Sequence, residues 1–391
     1  MKTRMFIALS AILASTIFHA IPAAQAFSPK FPLSTSGNKI VDSSGAQVIL
    51  QGVNWYGMEN EPGTVIGLNA RDYKLMLKQI KQTGFNVIRI PFSMQTLTKG
   101  KEVSSVADYI GSNRELKDKS PIEVLDALIL EANVQGLMII LDNHSQADQG
   151  YSNDLWYGQA GYTEDDWVEM WKSLAIRYKN SPNVVGFDLK NEPHGKATWG
   201  DGSATDFRRA AERAGTAIQE VNPNPLIIVE GIENQVAGGQ KLSGHWWGGN
   251  LEGVRNNPVR LPVANKVVYS PHEYGPEVSP QPWLTSKNLE KNLLDRWSKG
   301  FGYIHDQKIA PILVGEFGAK DFSTKTISGR WMKAFTDYMG KKGMSWTYWA
   351  WNPGSGDTGG LLTPDLVTLE KKKMPTILNL IKVQKKLVAQ R

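Results

Sequence analysis

The chain has 391 residues, 41% of them hydrophobic, and a formal net charge of +6 at pH 7. A chain of this length can bury a core without disulfides, so the lack of cysteine says nothing about export, although it excludes a thiol nucleophile. Part of the positive charge lies in 371–373 and 385–386, where a solvated helix is predicted rather than a basic stripe beside stacking aromatics. Nucleic-acid binding is therefore not expected.

Residues 1–26 have the three-part pattern of a secretory signal peptide. Lys2 and Arg4 are followed by an apolar stretch over 5–17 and then by Ala24-Gln25-Ala26. A buried helix or an uncleaved anchor is the alternative, but the apolar stretch is shorter than the roughly 20 residues that span a bilayer. We predict cleavage after Ala26 and a secreted protein, extracellular or periplasmic. No other segment is predicted to cross a membrane.

Short apolar runs alternate with amphipathic stretches from residue 48 onward. The predicted strands are 48–56, 87–91, 137–142, 184–188, 226–230, 266–270, 312–315 and 344–349. The predicted helices are 71–82, 121–135, 164–179, 204–220, 289–306, 330–341 and 375–388, with a poorly defined helix after the fifth strand. Such alternation indicates a parallel sheet covered on both faces, and eight units indicate an α/β fold of the (β/α)₈ barrel type.

The barrel is predicted to be one domain over 27–391, because no Pro/Ser/Thr-rich linker interrupts it. A small hairpin over 33–47 is expected to cap its bottom. The alternative is an open doubly wound sheet, but no Gly-x-Gly-x-x-Gly follows any predicted strand.

Polar and aromatic residues stand where the predicted strands end, which is the edge where barrels of this type carry their active sites. One such carboxylate is commonly a helix cap, but polar or aromatic groups at all eight ends are hard to explain as caps. The strand ends are Asn54-Trp55-Tyr56, Arg89-Ile90-Pro91, Asp142-Asn143-His144, Asn191-Glu192-Pro193-His194, Glu230-Gly231, His272-Glu273-Tyr274, Glu316-Phe317-Gly318 and Trp349.

Glu192 and Glu316 follow the fourth and seventh strands, so they should face each other across the barrel mouth. Cleavage of a glycosidic bond needs one protonated carboxyl that helps the leaving oxygen depart and one ionised carboxylate that attacks the anomeric carbon. A separation of about 5–5.5 Å gives retention and about 6.5–9.5 Å gives inversion. Glu230 and Glu273 also lie near the mouth, and either replaces one of the pair if the strand assignment is shifted.

These strand-end motifs resemble glycoside hydrolase family 5, the cellulase family, and nearly the whole mature chain takes part. Asn-Glu-Pro after strand four and Glu-Phe-Gly after strand seven are specific as a pair. The segments 246–250, Trp-Trp-Gly-Gly-Asn, and 354–360, Gly-Ser-Gly-Asp-Thr-Gly-Gly, further resemble its bacterial secreted endo-β-1,4-glucanase branch.

The resemblance implies roles at the matching positions. Glu192 is expected to be the acid/base and Glu316 the nucleophile of a retaining double displacement. Arg89 should pair with Glu316 and keep it ionised, and Tyr274 should donate a hydrogen bond to it. Asn191 should bind the 2-hydroxyl of the sugar that is cleaved.

Other matching positions are expected to contact the sugar less directly. His144 and His272 should bind hydroxyls or orient Glu192, and Trp349 should stack under the reacting ring. Further stacking platforms are predicted at Trp55, Trp156 and Trp247, with Trp246 as the alternative to the last.

The predicted activity is therefore that of an endo-β-1,4-glucanase acting as a monomer on cellulose or β-glucan, with no cofactor. Alternatives are the same machinery acting on β-mannan, xyloglucan or mixed-linkage glucan, and a non-catalytic carbohydrate-binding barrel, which should lack one of the three residues Arg89, Glu192 or Glu316. A surface adhesion protein should show repeats or an anchor. A zinc site built on the two histidines is disfavoured because no His-Glu-x-x-His is present.

Overall fold

The computed structural model describes residues 29–98, 109–149, 152–285 and 287–389, so the predicted signal peptide lies outside the described residues. One parallel sheet has eight strands: β4 Gln51–Asn54, β5 Val87–Ser93, β6 Met138–Ser145, β7 Val184–Asp188, β8 Leu226–Glu230, β9 Val267–Ser270, β11 Leu313–Val314 and β13 Ser345–Tyr348. Their order in the sheet is β11-β13-β4-β5-β6-β7-β8-β9.

The two edges of this sheet meet, so the sheet is nearly closed into a barrel. A parallel bridge joins Tyr269 to Ile312, and beyond it β10 His272–Tyr274 pairs with β12 Glu316–Gly318. Pro271 separates β9 from β10 because proline has no N–H to donate to the ladder. Gly315 separates β11 from β12, and a Cβ there would lie 2.5 Å from Ser270 Oγ. The predicted (β/α)₈ barrel is confirmed.

Helices cover the outside of the barrel at the positions that the sequence predicts. They are Tyr73–Thr83, Pro121–Val134, Glu164–Arg177, Phe207–Val221, Leu289–Trp297, Tyr303–Asp306, Ile327–Lys342 and Met374–Ala389, with a short helix Met94–Thr98. Two of them begin with a capping box, Ser120 with Glu123 and Thr163 with Asp166, which satisfies the free N–H groups of the first turn. After β8 only the 3₁₀ turn Glu252–Arg255 forms, as expected from the poorly defined pattern there.

A small antiparallel sheet precedes the barrel: β1 Ser34–Ser36, β2 Lys39–Val41 and β3 Gln47–Val48. Its Leu33, Ile40 and Val48 join a buried cluster with Val87 and Leu313 from the beginnings of barrel strands, so the sheet caps the bottom of the barrel. A larger cluster fills the space between the strands and the helices. Polar side chains occupy the opposite end of the barrel, where the strands finish. Among the described residues no helix is long and apolar enough to cross a membrane.

Candidate active site

The two glutamates predicted for catalysis lie together at the mouth of the barrel. Glu192 follows β7, and Glu316 begins β12 in register with His272. One carboxylate oxygen of each glutamate lies within 4.8 Å of the other. The Glu192 side chain is 18% exposed and the Glu316 side chain 4%. This close approach favours the shorter of the two separations that distinguish retention from inversion.

Arg89 organises the floor of the site from the middle of β5. Its side chain is completely buried, and its Nη1 donates to Glu316 Oε1 at 2.7 Å. Burial alone would lower the pKa of this guanidinium, but the carboxylates around it raise it well above its usual value. The other groups within reach of its nitrogens are Asn54 Oδ1 (2.9 Å), Asn191 Oδ1 (3.0 Å), Asp142 Oδ1 (3.0 Å), Asp188 Oδ2 (2.9 Å) and Glu230 Oε1 (3.1 Å).

One cation thus faces four buried carboxylates. Burial raises the pKa of Asp142 and of Asp188 to about 6, even though Arg89 acts in the opposite direction. Removing one partner from a buried ion pair leaves a charge uncompensated, which typically costs about 3–5 kcal/mol. The arginine is therefore a structural requirement of the mouth as well as a partner of Glu316.

His272 connects the two glutamates. Its Nδ1 lies 3.1 Å from Glu192 Oε1 and 3.7 Å from Glu316 Oε2, and its Nε2 lies 3.1 Å from Glu230 Oε1. Burial lowers the pKa of His272, but the charges of Glu230 and Glu316 and the hydrogen bond to Glu192 outweigh burial and raise it well above its usual value. The ring is therefore cationic near neutral pH, and both of its nitrogens are donors.

Glu192 has an unusual backbone as well as a distinctive environment. Its φ is +50°, in the left-handed region that few residues with a side chain adopt. Burial raises the pKa of its carboxyl, but the hydrogen bond to His272 and the charges of His272, His144 and His194 lower it further than burial raises it. These neighbours therefore favour ionised Glu192, whereas an acid that protonates a leaving group must hold a proton.

Tyr274 donates a hydrogen bond of 2.5 Å to Glu316 Oε2. Burial and the charges of Glu316 and Glu192 raise the pKa of this phenol well above its usual value, so it remains a donor. Trp246 packs edge-on against the Tyr274 ring at 6.0 Å between centroids and is itself 7% exposed. Trp246 thus supports Tyr274, and it has little surface left for a sugar.

Trp349 lies at the mouth between two other rings. It stacks on Tyr56 at 5.3 Å and on His144 at 5.6 Å between ring centroids, and it is 9% exposed. His144 is held in turn by Asp142, whose Oδ2 lies 2.8 Å from Nδ1. Asn191 Nδ2 lies 3.4 Å from His144 Nε2, so the predicted sugar-binding groups form one connected cluster.

The other predicted platforms differ in their exposure. Trp247 is 45% exposed and stacks on His194 at 3.8 Å with an angle of 7° between the rings, so its outer face is open. Trp55 and Trp156 are 0% exposed. Trp55 donates to the backbone oxygen of Ile66 and packs in the core between the strands and the helices. The predictions that Trp55 and Trp156 are platforms are therefore wrong, because neither ring has a free face.

Two residues of the site, both at the ends of predicted strands, have no predicted supporting role: Glu230 is predicted only as a replacement for one of the catalytic pair, and Asp188 carries no prediction. Glu230 stood at the end of the fifth strand, but nothing in the local sequence distinguishes it from a helix cap. Asp188 ends β7 and precedes the Asn-Glu-Pro motif, yet a buried strand gives no hint that it meets Arg89. Their shared signal is a charged residue directly after an apolar run.

Three groups of side chains have the spacing of metal ligands: Asp142 with His144 and Glu316, Glu192 with His272 and Glu316, and Asp142 with Asp188 and Glu230. In the third group Arg89 already places its guanidinium against every carboxylate. The first two share Glu316, which also accepts from Arg89. The arginine thus supplies the positive charge that a metal ion would otherwise bring.

An eight-stranded parallel barrel with two facing carboxylates at its mouth defines the class of retaining glycoside hydrolases. The family model described as cellulase, glycosyl hydrolase family 5, matches residues 41–355. The chain belongs to this family. It is an endo-β-1,4-glucanase, as the sequence predicted, and the retaining mechanism is general for the family.

Similar proteins cover most of the chain. An endoglucanase of Paenibacillus polymyxa is 45% identical over 384 residues, which are 98% of this chain and 95% of the relative. The major extracellular endoglucanase of Xanthomonas campestris is 40% identical over 92% of this chain and 74% of the relative. The solved catalytic domain of the Xanthomonas enzyme has a TM-score of 0.83 at 37% identity, over 90% of this chain and 99% of that domain. An endocellulase of Pyrococcus horikoshii has a TM-score of 0.82 at 35% identity, with 90% and 99% covered.

Proposed function

We propose that Glu316 is the nucleophile and Glu192 the acid/base in the hydrolysis of internal β-1,4 bonds. In the first step Glu316 attacks the anomeric carbon, and Glu192 gives its proton to the departing oxygen. In the second step Glu192 takes a proton from water, which attacks the same carbon and releases Glu316. The observation that carries the assignment is the asymmetry of contacts, because Arg89 and Tyr274 both donate to Glu316 and neither donates to Glu192.

This asymmetry fits the two roles. A nucleophile must be ionised, and donors from a cation and a phenol favour the carboxylate form. Glu192 is the more exposed of the two and has His272 beside it. It must change its protonation state twice in each cycle, and, unlike Glu316, it accepts no hydrogen bond from Arg89 that would hold it ionised.

Substitution of the two glutamates tests the assignment. We expect Glu316→Gln and Glu192→Gln each to lower turnover of carboxymethylcellulose by about 10²–10⁴-fold or more while circular dichroism and melting temperature stay near wild type. Azide should restore the rate of a Glu192→Ala variant with an activated aryl cellobioside and yield the β-glycosyl azide. The same anion on Glu316→Gly should yield the α-azide. A reversed pattern of products would exchange the two roles.

The finer specificity depends on the loops around the mouth. We propose cellulose and soluble β-1,4-glucan as substrates, supported by the endoglucanase relatives and by the open face of Trp247. A parallel assay on carboxymethylcellulose, barley β-glucan, xyloglucan and mannan should give the highest kcat/KM on one of the first two. A preference for mannan or xyloglucan would contradict the proposal.

We further propose that the enzyme is exported and cleaved after Ala26. The three-part pattern of residues 1–26 supports this, and the Xanthomonas relative is named an extracellular endoglucanase. Sequencing of the protein recovered outside the cytoplasm should begin at Phe27. Light scattering of that mature protein tests the expectation of a monomer.

A further inference from the structure

The carboxylate of Glu230 touches the predicted acid/base by two routes. Its Oε2 accepts the backbone N–H of Glu192 at 2.8 Å. Its Oε1 lies 3.1 Å from Nε2 of His272, whose Nδ1 is 3.1 Å from the carboxyl of Glu192. Glu230 is 0% exposed, so water does not compete for either oxygen. One buried side chain therefore holds both the main chain and the side-chain partner of Glu192.

The backbone of Glu192 needs such a partner. A residue with a side chain at a φ of +50° is held there by its surroundings at a typical cost of about 1–3 kcal/mol. The hydrogen bond from its N–H to the buried Glu230 carboxyl, at 2.8 Å, supplies such a partner. This contact fixes the turn that aims the Glu192 carboxyl into the mouth.

The surrounding chain is shaped to leave room for this contact. A Cβ at Gly248 would lie 2.3 Å from Glu230 Oε2 and 3.3 Å from the Cα of Glu192. The Gly248 oxygen accepts from Gly231 at 2.9 Å, so the glycine is pinned directly over the carboxylate. A side chain at this position would therefore displace the Glu230 carboxyl, and Gly248 also has a φ of +69°.

Glu230 has Arg89, His272 and the N–H of Glu192 on its two oxygens, and an oxygen of Asp142 and one of Asp188 lie within 4.8 Å of its carboxyl. Burial raises the pKa of Glu230 to about 8, although His272 and Arg89 act in the opposite direction, and the charge of Glu230 in turn raises the pKa of His272. Arg89 has other carboxylates, at Asp142, Asp188 and Glu316, so it does not depend on Glu230 for charge balance. His272 has no second buried carboxylate at its Nε2 among the contacts of the described mouth. Loss of Glu230 should therefore affect Glu192 and His272 more than it affects Arg89.

We infer that Glu230 is a positioning residue that holds Glu192 in its left-handed turn and keeps His272 charged beside it, and so sets both the aim and the protonation of the acid/base. This inference rests on the proposed role of Glu192. Because Glu192 loses its aim, loss of Glu230 should harm protonation of the leaving group more than it harms attack by Glu316.

Glu230→Gln tests the inference, because glutamine has one acceptor oxygen and cannot serve Glu192 on one side and His272 on the other. With cellotetraose, whose leaving group needs a proton, we expect kcat/KM to fall about 100-fold, the loss that a displacement of about 1 Å can cause. With 2,4-dinitrophenyl β-cellobioside, whose leaving group needs none, kcat/KM should fall less than about 5-fold. A structural defect alone would lower both values equally.

The pH profile provides a second readout. Without the Glu230 charge the pKa of His272 falls, and a neutral His272 no longer favours ionised Glu192. The pKa of Glu192 should then rise, and the basic limb of kcat/KM should move up by about half a pH unit or more. A basic limb at the wild-type position, together with equal losses on the two substrates, would overturn the inference.

Two variants complete the design. Asp188→Asn is the matched control, because it also removes a carboxylate from Arg89 but takes no part in the hydrogen bonds that hold Glu192 and His272. It should leave the ratio of kcat/KM for the two substrates unchanged. Gly248→Ala keeps every charge but crowds Glu230 Oε2, and it should reproduce the signature of Glu230→Gln if that variant does not fold. Glu192→Ala distinguishes failure of the proposed function from failure of the positioning role. If Glu192→Ala lowers kcat/KM equally on both substrates, the proposed function fails. If only Glu230→Gln and Gly248→Ala lower kcat/KM equally on both, the positioning role fails.

Discussion

Replacing Tyr274 by phenylalanine removes one hydrogen bond and leaves the shape of the site almost unchanged. The phenol donates to Glu316 Oε2 at 2.5 Å, and its ring is held edge-on by Trp246. Arg89 continues to hold the other oxygen of Glu316 at 2.7 Å, so the nucleophile should stay in place. The variant therefore isolates the electrostatic effect of the phenol.

Loss of the phenol should affect the two steps of the reaction in opposite directions and should slow the second. Glu316 loses its negative charge when it attacks the sugar and regains it when the glycosyl-enzyme is hydrolysed. A donor to the carboxylate therefore stabilises the product of the second step and the reactant of the first. A buried hydrogen bond to a charged group is worth about 1.5–3 kcal/mol, which corresponds to about 10- to 150-fold in rate.

An activated substrate makes this step visible. With 2,4-dinitrophenyl β-cellobioside we expect kcat of Tyr274→Phe to fall by about 10- to 150-fold, with a burst of dinitrophenol equal to the enzyme concentration. Tyr338→Phe is the control, because the Tyr338 hydroxyl has no hydrogen-bond partner among the described residues. A kcat within about 3-fold of wild type, or a large loss without a burst, would refute the reasoning.

Three further predictions concern charge, substrate binding and metals. Burial raises the pKa of Glu273 from 4.5 to about 7, so the folded state holds a proton that the unfolded state releases. The contribution of this proton to the free energy of unfolding is complete below about pH 4.5 and is lost as pH rises through 7. Urea unfolding of Glu273→Gln between pH 4.5 and 8 should therefore show a flatter profile, by at most about 3 kcal/mol. Trp247→Ala should raise KM for cellotetraose about 2- to 12-fold with little change in kcat, as expected for one open stacking face. Trp55→Ala, at a buried ring, should instead lower the free energy of unfolding by about 3–5 kcal/mol. EDTA should leave activity unchanged because Arg89 already supplies the positive charge at the carboxylate cluster, and recovery of a lost activity by a divalent ion would contradict this.

Much of the fold followed from the sequence. The strands Val184–Asp188 and Leu226–Glu230 have the predicted ends, and the other barrel strands overlap their predictions within a few residues. Fully buried parallel strands are continuous apolar runs, and their ends are marked by the first polar residue, so a local pattern suffices. The position of Glu192 and Glu316 at the same mouth follows as soon as the number of strands is known.

The roles of the aromatic residues did not follow in the same way. The local sequence does not distinguish Trp55, Trp156 and Trp247, yet the first two are buried and the third is 45% exposed. Burial of a tryptophan depends on which distant elements pack against it. Ile66 lies eleven residues from Trp55, and Glu164 is the partner of the Trp156 indole, so no short window reveals either.

The sequence by itself determined the barrel, the order of its polar strand ends and the two glutamates that we propose carry the chemistry, because each depends on a run of a few residues. Only the tertiary structure decided how those glutamates differ. Arg89 reaches Glu316 across the barrel and Tyr274 reaches it from the neighbouring strand β10. Glu230 and His272 reach Glu192 from the ends of the fifth and sixth strands. Charge interactions of this kind depend on distances of a few ångströms between segments far apart in the chain, and closure of the barrel is what sets those distances.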